Sequence, residues 1–260
     1  MSAFLEFKDV TKKYGNGVTA LNEVSFQARQ GEFISVIGPS GSGKSTLLRS
    51  INKLIPITKG EIFLEGEDIS HKRGKNLRLL RRKIGMIFQN YNLVYRLSVL
   101  QNVLHGCLGY MPGIGGVIGR YSESDKMRAI SLLEELGLED FIYSRAADLS
   151  GGQMQRVGIA RAIMQRPKLL LCDEPIASID PSSAKTIMEV LRSMTQKRNI
   201  TCIVNLHQLE VARQYSTRIL GLSKGQIQFD GGAEELTDAK VEAIYGTTKE
   251  NLMLGGEKSA

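Results

Sequence analysis

The sequence predicts an α/β fold: a parallel-rich sheet interrupted by a mostly helical insert. Three observations carry this expectation. Phe33–Ile37 is an apolar run rich in branched residues, and Leu169–Cys172 and Thr201–Val204 are short and continuous, as strands covered on both faces should be. Helical patterns follow them, beginning near Gly43 and running through Ile51, then over Ser182–Gln196 and Gln208–Gln214. Between about Asn90 and Leu149 the strand signals stop and helical periodicity takes over.

Taken in order, the first ninety residues read as strands separated by turns. Phe4–Val10 alternates, and Val24–Ala28, Phe33–Ile37, Glu61–Leu64 and Ile84–Phe88 follow. The clearest helix of the insert is Asp125–Leu136, with Met127, Ile130, Leu133 and Leu136 on one face and Ser122 or Ser124 as its cap. From Ser150 the strand–helix alternation returns. The tail after Gly246 has no clear period and reads as loose. No internal repeat or low-complexity segment occurs.

Composition excludes several classes. Hydrophobic residues make 42% and charged residues 23% of 260, ordinary globular usage, which rules out a disordered or fibrous chain. A chain this long can bury a core without disulfides or a structural metal. With no Trp, eight Tyr and eight Phe, little is left for stacking single-stranded nucleic acid. The formal net charge is +7, and much of it sits between Lys72 and Lys83. That run suits a solvated helix face, or a footprint for DNA or lipid headgroups. Cys107, Cys172 and Cys202 form no CxxC pair and no metal spacing, and the N-terminus lacks a signal-peptide layout, so a reducing cytoplasm is expected. Leu97–Gly119 carries no charged residue over 23 positions, but Pro112 and six glycines argue against a spanning helix.

The strongest motif is Gly38-Pro39-Ser40-Gly41-Ser42-Gly43-Lys44-Ser45, with Thr46 next, between a predicted strand and a predicted helix. Its glycines let successive N–H groups converge on phosphates at the positive end of a helix. Lys44 supplies a point charge for the β- and γ-phosphates, and the Ser45 hydroxyl can ligate Mg²⁺. A nucleoside triphosphate is the implied ligand. A second motif, Leu169-Leu170-Leu171-Cys172-Asp173-Glu174, delivers two carboxylates at a strand end, where open α/β sheets bind ligands. Asp173 would hold Mg²⁺ and Glu174 would polarise the attacking water, which marks hydrolysis. The same pair also suits a helix cap with Pro175 at the first helical position.

Leu149-Ser150-Gly151-Gly152-Gln153 precedes a long helical pattern. A capping box accounts for Ser150 and Gln153 but not for two adjacent glycines, each costly to a helix. Bare backbone at a helix start is another anion cradle. Two phosphate sites for one nucleotide imply a head-to-tail pair of chains, each closing the other's ATP.

These three motifs together, with Ser150 lying 106 residues after Lys44, resemble the nucleotide-binding subunits of ATP-binding cassette (ABC) transporters over about Phe4–Gly246. The resemblance implies a P-loop nucleotidase core over residues 1–89 and 166–246, an N-terminal antiparallel β subdomain and a helical insert over about 90–165. It implies that Tyr14 stacks on adenine, and that Gln89 senses Mg²⁺ and the γ-phosphate. It implies further that His207 contacts the γ-phosphate, and that Ser150, Gly151, Gly152, Gln153 and Asp180 face the partner chain's nucleotide. Ile179 stands where the family more often has Leu. Separate transmembrane permease subunits are implied, with a substrate-binding protein acting through them and the chain held peripherally on the cytoplasmic face of the membrane. The glycine-rich segment from His105 to Ser122, DEPIASIDP and VNLHQLEVA resemble the ATPase subunits of phosphonate importers. Phosphonate-type anions are therefore the expected cargo, with phosphite or another reduced phosphorus anion as the alternative. The segment from His105 to Ser122 is expected to contact the permease through residues such as Ile114 and Val117. DNA-associated ATPases share the motifs but insert long coiled coils, and no sustained heptads occur here, so no nucleic-acid partner is expected. A GTPase is disfavoured because Asn52-Lys53-Leu54-Ile55 lacks the guanine-reading Asp.

Overall fold

The computed structural model describes residues 3–111 and 121–247. Ile114 and Val117 lie outside the described residues, as does the tail beyond 247. The chain divides into two compact units, one holding the described residues up to Lys72 and from Ile203 onward, the other Arg73–Cys202.

The first unit opens with β1 (Leu5–Lys13), β2 (Thr19–Ala28), β3 (Phe33–Ile37), α1 (Lys44–Ile51), β4 (Lys59–Leu64) and β5 (Glu67–Asp68). Strands β2-β1-β4-β5 form an antiparallel sheet in that order. Its inner face follows the strand period of two: Leu5 and Phe7 are buried, and the Phe7 and Phe26 rings stack at 4.7 Å. The register shifts between Phe7 and Val10, where Asp9 takes a φ of 48°. This bulge breaks the alternation, and β1 continues to Lys13, beyond the Val10 end that alternation alone suggests. All five residues of β3 are buried, as a continuous apolar run predicts.

The second unit contains α2 (Gly74–Lys83), β6 (Ile84–Ile87), α3 (Val99–Leu104), α4 (Glu123–Glu135), α5 (Gly151–Met164), β7 (Leu169–Asp173) and α6 (Pro181–Lys197). Strands β6 and β7 are parallel, in register from Ile84 opposite Leu169 to Ile87 opposite Cys172. Helices α3, α4 and α5 pack together. Ser122 caps α4, accepting from the Asp125 N–H, so the first of the two predicted caps is the one used. The predicted apolar face of α4 is corrected: Met127 is 65% exposed, and the buried stripe is Ala129, Leu132, Leu133 and Leu136. That stripe has the i, i+3, i+4, i+7 spacing of a core-facing helix, and its first member is a small Ala that a search for large side chains passes over. Leu80 is the buried residue of α2; of its basic side chains, Arg78 donates to the Met111 carbonyl at 3.1 Å, and Arg82 donates to the Gly109 carbonyl at 2.6 Å and lies over the Tyr110 ring.

The chain returns to the first unit within β8 (Thr201–Asn205), followed by α7 (Leu209–Tyr215), β9 (Arg218–Ser223), β10 (Gln226–Gly231) and α8 (Asp238–Tyr245). The strand order in this unit is β10-β9-β3-β8, with β3 parallel to β9 and β10 antiparallel to it. The three cysteines are buried and free. Among the described residues no helix is long and apolar enough to cross a membrane.

Candidate functional site

The phosphate loop joins β3 to α1. Gly43 caps α1 at a φ of 109°, in the left-handed region, with no side chain closing the helix N-terminus. Gly38 has a φ of 146°, and a Cβ there would stand 2.0 Å from the Leu222 carbonyl oxygen. The loop therefore excludes any side chain at this turn, leaving backbone N–H groups to line its mouth. Lys44 is buried and donates through Nζ to the Gly38 and Pro39 carbonyls at 2.7 and 3.1 Å, so its charge lies across the loop. Ser42 is buried, and among the described residues its Oγ has no hydrogen-bond partner. Ser40, Gly41, Ser45 and Thr46 complete the sequence-predicted loop.

Tyr14 joins this loop. Its hydroxyl lies 3.2 Å from Thr46 Oγ1, its ring is partly exposed, and Lys12 Nζ sits 5.1 Å from the ring centroid. An aromatic face is thus presented beside the first turn of α1. His207 stands exposed two residues past β8, the strand next to β3, and the Leu206 N–H donates to the Val36 carbonyl at 3.1 Å. The first unit thereby holds Tyr14 against the phosphate loop, with His207 past the strand that neighbours β3.

The second unit gathers the other predicted residues in two groups. Asp173 ends β7 and is 3% exposed. Glu174 follows at a φ of 55°, leaving the strand on a left-handed turn. No helix starts at Pro175, so the reading of Asp173-Glu174 as a helix cap fails and the two carboxylates end a parallel strand. Gln89 lies two residues past the end of β6, the strand paired with β7. Gln89 is exposed.

The second group centres on the start of α5. Ser150 and Gln153 form the capping box: the Gln153 N–H donates to Ser150 Oγ at 3.3 Å and the Ser150 N–H to Gln153 Oε1 at 2.8 Å. The adjacent glycines have their own reason. A Cβ on Gly151 would lie 2.9 Å from the Tyr91 hydroxyl, and one on Gly152 would lie 3.0 Å from both side-chain atoms of Ser183. Ser183 in turn donates its N–H to Asp180 Oδ1 at 2.9 Å, which makes Asp180 the cap of α6. These bonds to Ser183 hold the Asp180 carboxyl below its ordinary pKa. Ser150–Gln153 and Asp180 thus belong to one cluster. Tyr91, Ser183 and Arg161, which contact this group or the turn after Gln89, were not found from sequence. The only signal for Ser183 is its place three residues after a capping Asp.

Cys107 lies outside these groups. Burial first, then the nearby Asp125 charge, push its thiol up to about 11. At neutral pH it is a protonated, unreactive group.

Comparison with known proteins gives the family and the fold. The family model described as ABC transporter matches residues 21–177. A protein of Halalkalibacterium halodurans called phosphonates import ATP-binding protein PhnC 2 is 54% identical over 241 residues, covering 93% of this chain and 99% of that one. Its namesake in Oceanobacillus iheyensis is 51% identical over 249 residues, covering 96% and 98%. Among solved structures, the ADP conformation of MJ1267, an ATP-binding cassette of an ABC transporter, aligns with a TM-score of 0.82 at 29% identity over 98% of this chain and 100% of that one. The dimeric structure of MJ0796, a bacterial ABC transporter cassette, aligns at 0.78 with 34% identity over 88% and 98%. The antiparallel β sheet, parallel-rich core strands and packed helices are the ABC ATPase fold that the sequence predicts. With the phosphate loop, the strand-end carboxylates and the capped double-glycine turn all in place, this chain belongs to the ABC transporter family as an ATP-binding subunit.

Proposed function

We propose that this chain is the ATP-hydrolysing motor of an importer for phosphonate-type anions. Two copies close head to tail on two ATP molecules and drive separate permease subunits. The cargo reading is supported by the near full-length identity of about half to two proteins named for phosphonate import. The motor reading rests most on one observation: Ser150–Gln153 and Asp180 form a single cluster at the starts of α5 and α6, a second anion cradle in addition to the phosphate loop. A second anion cradle has a use if it closes over the nucleotide of another copy, and the dimeric MJ0796 cassette shows that relatives pair.

In this mechanism Tyr14 stacks on the adenine, and the amides of Gly38, Ser40, Gly41, Ser42, Gly43, Lys44, Ser45 and Thr46 surround the phosphates. Lys44 moves from its two loop carbonyls toward the β- and γ-phosphates. His207 orients the γ-phosphate, and Glu174 takes the proton of the attacking water. Ser150, Gly151, Gly152, Gln153 and Asp180 of the second copy close over the γ-phosphate and exclude bulk water. Hydrolysis breaks the bond between the bridging oxygen and the γ-phosphorus, and departure of the inorganic phosphate removes the group that held the copies together.

Among the described residues no cluster of three or more His, Cys, Asp or Glu side chains could hold a metal alone. The hydroxyl of Ser45, the carboxylate of Asp173 and the amide of Gln89 are hard oxygen donors suited to Mg²⁺ that arrives with the nucleotide. The ion, when bound, neutralises phosphate charge and polarises the γ-phosphate. Attachment through permease subunits would hold the chain peripherally at the cytoplasmic face of the membrane, with a substrate-binding protein delivering cargo on the other side.

The decisive variant is Glu174→Gln. It should bind ATP with near wild-type affinity, accumulate as a dimer on size exclusion and hydrolyse ATP at least about a hundredfold more slowly. Wild-type turnover would remove Glu174 from the role. For the cargo, a deletion strain should fail on an alkylphosphonate as sole phosphorus source and grow on phosphate. Rescue should come from the wild-type chain but not from Lys44→Ala. Failure on phosphite alone would keep the motor and change the cargo.

A further inference from the structure

The turn after Gln89 is held in a costly conformation. Tyr91 and Asn92 have φ values of 47° and 50°, two consecutive non-glycine residues in the left-handed region. A residue with a Cβ disfavours that region and stays there only when the surrounding structure holds it. Arg161, in the third turn of α5, supplies the hold. Its Nη2 donates to the Tyr91 carbonyl at 2.7 Å and its Nη1 to the Asn92 carbonyl at 2.5 Å. Among the described residues these two carbonyls are its hydrogen-bond partners, and no carboxylate pairs with it. A planar guanidinium can bridge two successive carbonyls as a fork, and a lysine ammonium cannot hold both in that geometry. A second contact lies at the other end of the same helix, where the Tyr91 hydroxyl sits against Gly151.

We propose that Arg161 is the positioning residue of Gln89, fastening the turn that follows it to the helix that carries Ser150–Gln153. Any displacement of α5 is then transmitted through two backbone carbonyls to a side chain two residues away. Closure of a partner's nucleotide on Ser150–Gln153 and placement of Gln89 on its own nucleotide become one motion. The proposal rests on the reading of Gln89 as a ligand for Mg²⁺ and the γ-phosphate.

Three variants of the full-length chain test it: Arg161→Lys, Arg161→Gln and, as a control, Arg128→Gln. Arg128 donates to the Met164 carbonyl at the far end of α5 and touches nothing between Gln89 and Asn92. Hydrogen exchange of the 90–93 amides should quicken in both Arg161 variants and stay unchanged in the control. Affinity for a fluorescent ATP analogue without Mg²⁺ should stay within about twofold, while the tightening caused by Mg²⁺ should fall about tenfold, the usual cost of losing a group that orients a metal ligand. The kcat should drop by a similar factor in both Arg161 variants and remain near wild type in Arg128→Gln, whatever the losses in Tm.

Unchanged exchange at 90–93, or an equal loss of kcat in the control, would overturn the proposal. If Arg161→Gln does not fold, Arg161→Lys carries the test, since it keeps the charge and loses only the fork. Gln89→Ala separates the two ideas. If it leaves the Mg²⁺ effect intact, the reading of Gln89 fails; if it abolishes the effect while the Arg161 variants do not, only the positioning role fails.

Discussion

At the scale of single residues, the phosphate loop shows how much backbone shape can be read from side chains that are missing. Gly38, Gly41 and Gly43 were legible as glycines in a known spacing, but their reasons differ. A Cβ on Gly41 meets nothing within 4 Å, so only its φ of 77° resists substitution; a Cβ on Gly38 would drive into the Leu222 carbonyl at 2.0 Å. Gly41→Ala should therefore cost about 1–3 kcal/mol, the price of a strained backbone. Gly38→Ala should cost more, because the β9 backbone must also shift. Chemical denaturation of both variants without nucleotide checks the order, and equal losses would refute it. Gly151 and Gly152 were legible in the same partial way. The sequence marked two glycines that a cap does not need, and only the coordinates reveal Tyr91 and Ser183 pressed against them.

At the scale of elements, boundaries followed from pattern where the pattern was regular. Phe33–Ile37 is a strand from end to end because all five residues are buried on both faces. Alternation alone ends β1 at Val10, short of its true end at Lys13, because the bulge at Asp9 interrupts its period of two. Helix α4 was found, but its inward face was turned toward Met127, since a search for large apolar residues gives Ala129 no weight. The packing yields a direct contrast. Leu133→Ala, at a fully buried position of α4, should lose about 2–5 kcal/mol. Met127→Ala, 65% exposed, should change stability by no more than about 0.5 kcal/mol. Urea unfolding of the two proteins measures both, and comparable losses would restore the face read from the sequence.

At the scale of the whole molecule, charge is spread unevenly, and one ion-pair group joins distant stretches of chain. Glu135, at the end of α4, accepts from Arg198 at 2.6 Å and Lys197 at 3.2 Å, at the end of α6. The hydrogen bond from Arg198 is the main cause holding its carboxyl below the ordinary 4.5, against the opposing effect of partial burial, with Lys197 adding to it. A depressed carboxyl stabilises the fold at all pH values above its unfolded range. That contribution is lost as the pH falls through the folded value, below about 4.5. The pair is partly exposed, so its share is at most about 1 kcal/mol. Glu135→Gln should flatten the acid limb of Tm against pH and lower Tm slightly at neutral pH. An unchanged acid limb would mean the pair contributes nothing.

What the sequence determined by itself is the chemistry. Phosphate loop, strand-end carboxylates and double-glycine turn each need particular residue types at fixed short spacings, and short spacings survive folding unchanged. It also determined the fold class, because continuous apolar strands followed by helical patterns have few ways to bury their surface. What only the tertiary structure decided is which distant residues meet: Tyr14 with Thr46, Gly152 with Ser183 and, through it, Asp180, and Arg161 with the turn after Gln89. Such contacts join positions separated by tens of residues through packing and single hydrogen bonds. No periodicity or local propensity records them, because each depends on where another element comes to rest.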